Sequence, residues 1–296
     1  MKLQKRTIEI ITPSNRIKLY EPKIKTYQET KQILHRLYTQ TSRRPSILLI
    51  NIIQPLLWLL MFGALFQNAP IYLFENHRIE YKNFLNPGII VFTAFSSSLN
   101  AGLTIIFDRE FGFLNKILIS PISNKTSIVY ASILHTWIIT MIQVMGIIAM
   151  TYNKEQNYYH VNLPNLFVSI IITSTVIISI SNISIYSAFI LPGHIEFIGL
   201  TTLFLNLPTL FTSTALAPLS FMPHWLQLIC CINPLTYAIE IIRNIKLNDL
   251  FTLEKSIINI SLIPISGYSG ITILFTTSIL SFILVKKIIQ YKYDKN

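Results

Sequence analysis

LFVSIIITSTVIISISNISIYSAFIL, residues 166 to 191, contains no Asp, Glu, Lys or Arg. A bilayer interior offers a backbone amide no water. A segment lying there closes its own hydrogen bonds as a helix of about 20 apolar residues, or joins a closed barrel. Barrel strands alternate apolar and polar positions along segments of roughly 10 residues. Here Ile170, Ile171 and Ile172 stand in a row, as do Val176, Ile177 and Ile178. The stretch therefore reads as a membrane-spanning helix.

Outward from it, five more runs read the same way: Ser46 to Phe66, Pro87 to Phe107, Ser127 to Met150, Ile195 to Leu219, and Leu262 to Val285. Only Pro192, Gly193 and His194 separate the fourth from the fifth. The whole chain agrees, with 51% hydrophobic residues, 12% charged residues and a mean hydropathy of +0.51 over 296 residues, outside the range of a soluble domain. The expectation is an all-α polytopic membrane protein with a polar segment over 1–45 and a transmembrane domain over 46–296. A lean toward Ile, Asn, Lys, Tyr and Phe is what AT-rich codons produce, and an AT-rich bacterium and an organelle genome both fit it.

The net charge of +11 invites a nucleic-acid reading, but a nucleic-acid binder clusters its cations with stacking aromatics. These cations follow the spans instead. Eighteen of the 24 Lys and Arg fall before Ser46 (eleven), between Asp108 and Lys125 (three) or after Val285 (four), leaving Arg78, Lys82, Lys154, Arg243, Lys246 and Lys255. Short cationic loops resist translocation, so the eighteen mark the inner side and both termini lie inside. No nucleic-acid partner is expected. The first 45 residues hold no apolar h-region, so the spans are expected to direct insertion. Cys230 and Cys231 are too few for a disulfide framework and lack metal-site spacing.

Two regions are neither span nor simple loop. Before the first span, Ile24, Tyr27, Leu34, Leu37 and Tyr38 share one helical face while Lys25, Glu29 and Arg36 share the other, which predicts an interfacial helix on the inner headgroups. Before the last span, Phe221 to Ile232 is too short to cross and Asn233-Pro234 breaks it, after which Leu235 to Leu247 is apolar at helical spacing. That pattern fits a re-entrant helical hairpin. It also fits an interfacial loop with an amphipathic helix.

No G-x-x-x-x-G-K-[ST] loop occurs, so the chain is not expected to bind or hydrolyse ATP through one. The histidines at 35, 77, 135, 160, 194 and 224 have no metal-ligand spacing and read as surface or interfacial residues. Asp108 to Asn124, DREFGFLNKILISPISN, can be read as charges at a membrane surface followed by a short helix ended by Pro121. It also resembles the E-R-E-x-G-T-L-E-x-L-L-V-S-P-I-S pattern of the type-2 ATP-binding-cassette (ABC) exporter permeases, with Phe113 and Asn115 replacing Thr and Glu. Leu207 to Arg243 resembles a second signature of that family through Pro208, Phe211, Ser213, Pro218, Pro223, Trp225-Leu226, Asn233-Pro234-Leu235-Thr236-Tyr237, Glu240 and Arg243. The likeness covers nearly the whole chain and is nearest to the drug and lipo-oligosaccharide exporter permeases, a plastid-encoded red algal member included.

The resemblance implies a permease without bound cofactor, paired with a second permease copy and with an ABC ATPase that uses ATP and Mg. It implies that Glu110, Gly112, Phe113, Leu114, Lys116, Ile117, Leu118 and Pro121 contact the ATPase, the apolar members as a ridge. Asn115 removes one family carboxylate, which puts an ion pair there in doubt. The resemblance also places Pro223, Trp225, Asn233, Pro234, Tyr237, Glu240 and Arg243 near the exit of the path. From the residues alone, Asn51 and Gln54 in the first span and Ser97 and Asn100 in the second should avoid lipid, either joining helices or lining a path. No span centre carries an acid or base, which argues against an ion-coupled carrier. A membrane enzyme or assembly factor would need a polar cluster at one face, and none is legible.

Overall fold

The computed structural model describes residues 22–66, 81–120, 122, 124–152, 163–190, 204–247, 256–259 and 264–293. In order these form α1 (Pro22–Ser42), α2 (Pro45–Leu65), α3 (Tyr81–Leu99), α4 (Ala101–Glu110), α5 (Phe113–Ile119), α6 (Ser127–Tyr152), α7 (Leu163–Ile190), α8 (204–211), α9 (His224–Ile232) and α10 (Pro234–Leu247). A hairpin of β1 (Ser256–Asn259) and β2 (Pro264–Ser266) then leads into α11 (Gly267–Tyr293). Among the described residues, Asn83–Glu110, Ser127–Met150, Pro164–Ile190 and Gly267–Lys292 are long and apolar enough to cross a membrane. Leu49–Leu65 is a shorter apolar stretch, and α9 with α10 makes a pair bent by 89°.

The expected spans shift in physically readable ways. The second reaches back beyond Pro87, with α3 described from Tyr81 and Pro87 inside it, so the helix continues through a proline that was read as its start. The last begins at Gly267, since Pro264 and its neighbours form the antiparallel hairpin in place of a first helical turn. Among the described residues, these two short strands are the exception to helix and turn. Residues 191–203, which include the start of the expected fifth span, lie outside the described residues.

Ser and Thr crowd these helices, and the structure shows how an apolar surrounding tolerates them. Thr93 donates to Ile89 O at 2.7 Å, Ser98 to Ala94 O at 2.5 Å, Thr136 to Ser132 O at 2.9 Å and Ser174 to Ile170 O at 2.8 Å. Each hydroxyl is spent on its own helix. Few hydroxyls are left to join helices, with Ser97 to Thr140 at 2.9 Å and Ser184 to Leu99 O at 2.5 Å as examples. Ser184 also accepts from Gly102 N, and a Cβ at Gly102 would sit 2.4 Å from Ser184 O. Only glycine permits that approach of α4 to α7, the small-residue packing on which membrane helices rely when lipid is as apolar as leucine.

Three buried clusters run along the bundle. Tyr81, Phe84, Leu85, Val144 and Ile147 fill one end. Phe92, Val176, Tyr237, Ile241 and Leu274 fill the middle. Ile106, Leu114, Ile117, Ile185 and Ile289 fill the other end, where α4, α7 and α11 finish and α6 starts. This last end carries Arg36, Arg109 and Lys292 and is called the cation-rich end below. Asn83–Glu110 is the centre of the packing, 78% buried over its apolar window against 28% for Gly267–Lys292.

Candidate functional site

At the cation-rich end, α4 stops at Glu110 and the backbone turns at Gly112, whose φ of 69° is left-handed. A side chain there would cost roughly 1–2 kcal/mol, so glycine fits the turn that sets α5 against α4. Helix α5 faces two ways. Leu114 (2% exposed) and Ile117 are buried in the end cluster, and Phe113 and Leu118 pack partly against it. Phe111 (73%) and Ile119 (85%) are exposed, as are Glu110 and Lys116. Of the expected ridge, Leu114 and Ile117 are thus buried against the chain's own bundle, while Phe113 and Leu118 stay partly exposed. Neither Phe111 nor Ile119 was singled out from the sequence. Pro121 lies outside the described residues.

Helix α1 is tied to this corner by Arg36. Its guanidinium forks onto the Asp108 carboxylate, Nη1 donating to Oδ1 at 3.0 Å and Nη2 to Oδ2, and its Cζ lies 4.1 Å from the centre of the Phe113 ring. One side chain thereby joins α1, the end of α4 and α5. Ser127 at the start of α6 donates to Glu29 at 3.2 Å, and Leu37 is buried. The expected faces of α1 are therefore revised: Glu29 and Arg36 point at the bundle while Tyr27 is exposed. A helix read alone cannot show a carboxylate 72 residues away that needs a bidentate partner. Of Ile24 and Lys25 only the backbone is described.

Near the same corner Thr41 Oγ1 and His135 Nε2 are 2.8 Å apart, and the Tyr38 ring meets His135 edge-on at 5.2 Å. Burial pushes the Tyr38 hydroxyl above its ordinary pKa. His135, read from the sequence as a surface or interfacial residue, is buried and bonded. Arg109 Nη1 donates to Ala188 O at 3.0 Å and Lys292 Nζ to Phe189 O at 2.7 Å, so cations from α4 and α11 satisfy carbonyls in the last turn of α7.

The opposite end is built around the bend between α9 and α10. Pro223 stands at the N-cap of α9, and Pro234 occupies the first position of α10, where its missing N–H costs nothing. Asn233 Oδ1 accepts from Leu235 N at 3.0 Å while its Nδ2 donates to Thr212 O at 3.1 Å. Tyr237, buried, donates to Cys231 O at 2.6 Å and so braces one arm against the other. Arg243 is 5% exposed, pairs with Glu240, donates to Thr214 O at 2.7 Å and lies 3.7 Å from the Phe84 ring centre. Trp225 is 64% exposed on the outer side of α9.

A third feature is a cavity of about 150 Å³ between α1, the start of α2, the α3–α4 junction and α6. Asn51, Ser97 and Asn100 line it together with Gln40, Arg44 and His135. The fourth expected residue, Gln54, is exposed and stands apart from it.

Residues 28–247 match the family described as ABC-2 type transporter. The chain belongs to that family. It is 43% identical to the Porphyra purpurea protein named "Putative transport permease ycf38", over 94% of this chain and 95% of that one. Proteins of the same name from Cyanophora paradoxa and Pyropia yezoensis are each 43% identical, over 89% and 90% of this chain and the same shares of their own. This ABC-2 chain is an integral membrane transport permease, and the matched stretch takes in α5, most of α1, the cavity and the bend before ending with α10.

Proposed function

We propose that the chain is the membrane-spanning subunit of an ATP-driven exporter, whose ATPase is a separate polypeptide that consumes ATP and Mg and docks at the cation-rich end. One observation carries the reading. Helix α5 is anchored by Leu114 and Ile117 and pinned to α1 by Arg36, yet it leaves Phe111 and Ile119 uncovered beside Glu110 and Lys116. Exposed apolar side chains on a rigidly held support, flanked by charges that set register, are what a docking surface needs. The cation excess makes that end the inner one, with both termini inside. ATP binding in the partner then shifts the permease only as far as the partner binds its states differently.

The six-span count has support in helix direction. Phe66, just beyond α2, lies 5.1 Å from the Tyr81 ring that begins α3, so α2 runs away from the cation-rich end and α3–α4 returns. Both α7 and α11 finish at the cation-rich end, so an odd number of crossings separates them, and one suffices. The bent α9–α10 pair is read as re-entrant, dipping into the outer leaflet near the exit. Two six-span copies enclose a path for an amphiphilic, lipid-linked or glycan-type cargo, and α1 lies along the inner headgroups. AT-rich composition and the algal relatives favour a plastid membrane. The test is copurification of an ABC ATPase from native membranes, with ATP turnover raised by the wild-type permease. A permease that recovers no ATPase under conditions preserving its dimer refutes the reading.

A further inference from the structure

The two walls of the 150 Å³ cavity use their polar groups differently. On the α3–α6 wall, Ser97 and Thr140 bond each other at 2.9 Å, Thr136 bonds its own helix, and His135 meets Thr41. On the α1–α2 wall, the Gln40 and Asn51 amides and the Arg44 guanidinium make no side-chain hydrogen bond or ion pair among the described residues. Arg44 also stands at the N-cap of α2, whose first turn holds no acidic residue. The positive end of that helix adds to its charge. Arg44 is exposed at the mouth of the cavity, with Gln40 and Asn51 half-buried beside it, and a cation flanked by unspent donors is a set that an anionic group can satisfy.

Size limits what that anion belongs to. Sites that enclose a whole small molecule run to about 300–1,000 Å³, so 150 Å³ suits a headgroup and not a complete cargo. Leu103, Phe107 and Ile139 supply an apolar side to the same space. We propose that this cavity seats the phosphate headgroup of a membrane amphiphile at the cation-rich end of the bundle. Arg44 is its charge partner, Gln40 and Asn51 are its hydrogen-bond donors, and the first carbons of its chain lie against Leu103 and Phe107. The inference rests on the exporter reading for its sense, since such a site would gather an amphiphile before transport. It stands apart from ATPase docking in its test.

The full chain is purified in an uncharged detergent without any ATPase and titrated with dioctanoyl phosphatidic acid, dioctanoyl phosphatidylcholine and inorganic phosphate. Saturable binding of the phosphatidic acid is expected, tighter than either comparison. Arg44→Gln should weaken it at least tenfold, while Arg43→Gln, a neighbouring cation outside the lining, changes it less than twofold. Ile139→Trp fills the cavity with its charges intact and should also abolish binding. Each variant is required to elute as wild type with an unchanged thermal midpoint. Equal losses for Arg43→Gln and Arg44→Gln reduce the effect to surface charge and overturn the site. So does full binding by Ile139→Trp. Inorganic phosphate binding as tightly as the lipid overturns the amphiphile and leaves a free-anion site. Ile119→Ala, which acts on docking alone, must leave lipid binding intact, so failure of either reading is recognised without the other.

Discussion

Two leucine-sized side chains of α5 face opposite ways, and truncating each should break a different thing. Ile119 is 85% exposed, so nearly all of its transfer free energy is available to a partner. Ile119→Ala removes three carbons at about 0.8 kcal/mol each, roughly 2.4 kcal/mol if docking buries them fully. At about 1.4 kcal/mol per decade that is on the order of fiftyfold in affinity for the ATPase, with the thermal midpoint of the isolated permease unchanged. Leu114 is 2% exposed within the end cluster. Leu114→Ala should destabilise the permease by about 2–5 kcal/mol through the cavity it leaves. The assay is a titration of immobilised permease with ATPase, beside thermal unfolding of the same preparations. If Ile119→Ala docks as wild type while Leu114→Ala abolishes docking without loss of stability, then the orientation of α5 assigned here is wrong.

Three further outcomes follow from the geometry. Arg36→Lys keeps the charge but loses the fork on Asp108 and the stack on Phe113. ATPase stimulation should fall several-fold more than ATPase binding, and equal loss of both would reduce Arg36 to a simple surface contact. Replacing Asn233-Pro234 by Ala-Ala removes the α10 cap and the breaker at the 89° bend, so transport should drop while membrane abundance persists. Full activity would favour an ordinary interfacial loop. Single cysteines at Lys5, Lys292, Asn76 and Asn157, in a chain with Cys230 and Cys231 replaced, should label from inside for the first two and from outside for the others. Termini that label from opposite sides would overturn the six-span count.

Much of the fold could be read from the sequence because the bilayer imposes a pattern within each segment. The 166–191 run needed no partner to be recognised, and Asn233-Pro234 marked a break that the structure turns into a sharp bend. The partners of Arg36 and His135, Asp108 and Thr41, lie 72 and 94 residues away, out of reach of any local pattern. Phe113, Leu114, Ile117 and Leu118 form an obvious apolar stripe, and only the third dimension shows that the bundle buries Leu114 and Ile117 and leaves Phe111 and Ile119 outside. Asn51, Ser97 and Asn100 were grouped by polarity alone, and the structure gathers them at one cavity without Gln54.

The final turn of α7 sets a timetable for assembly. Arg109, which bonds Ala188 O, is synthesised 79 residues before its acceptor, whereas Lys292 follows Phe189 by 103 residues. A chain emerging from the ribosome can seat α7 against α4 early, but the bond from Lys292 to Phe189 O waits for nearly all of α11. The corner that carries α5 is thus finished last, so an ATPase that reads this corner meets it complete only on permeases whose final helix has already been made.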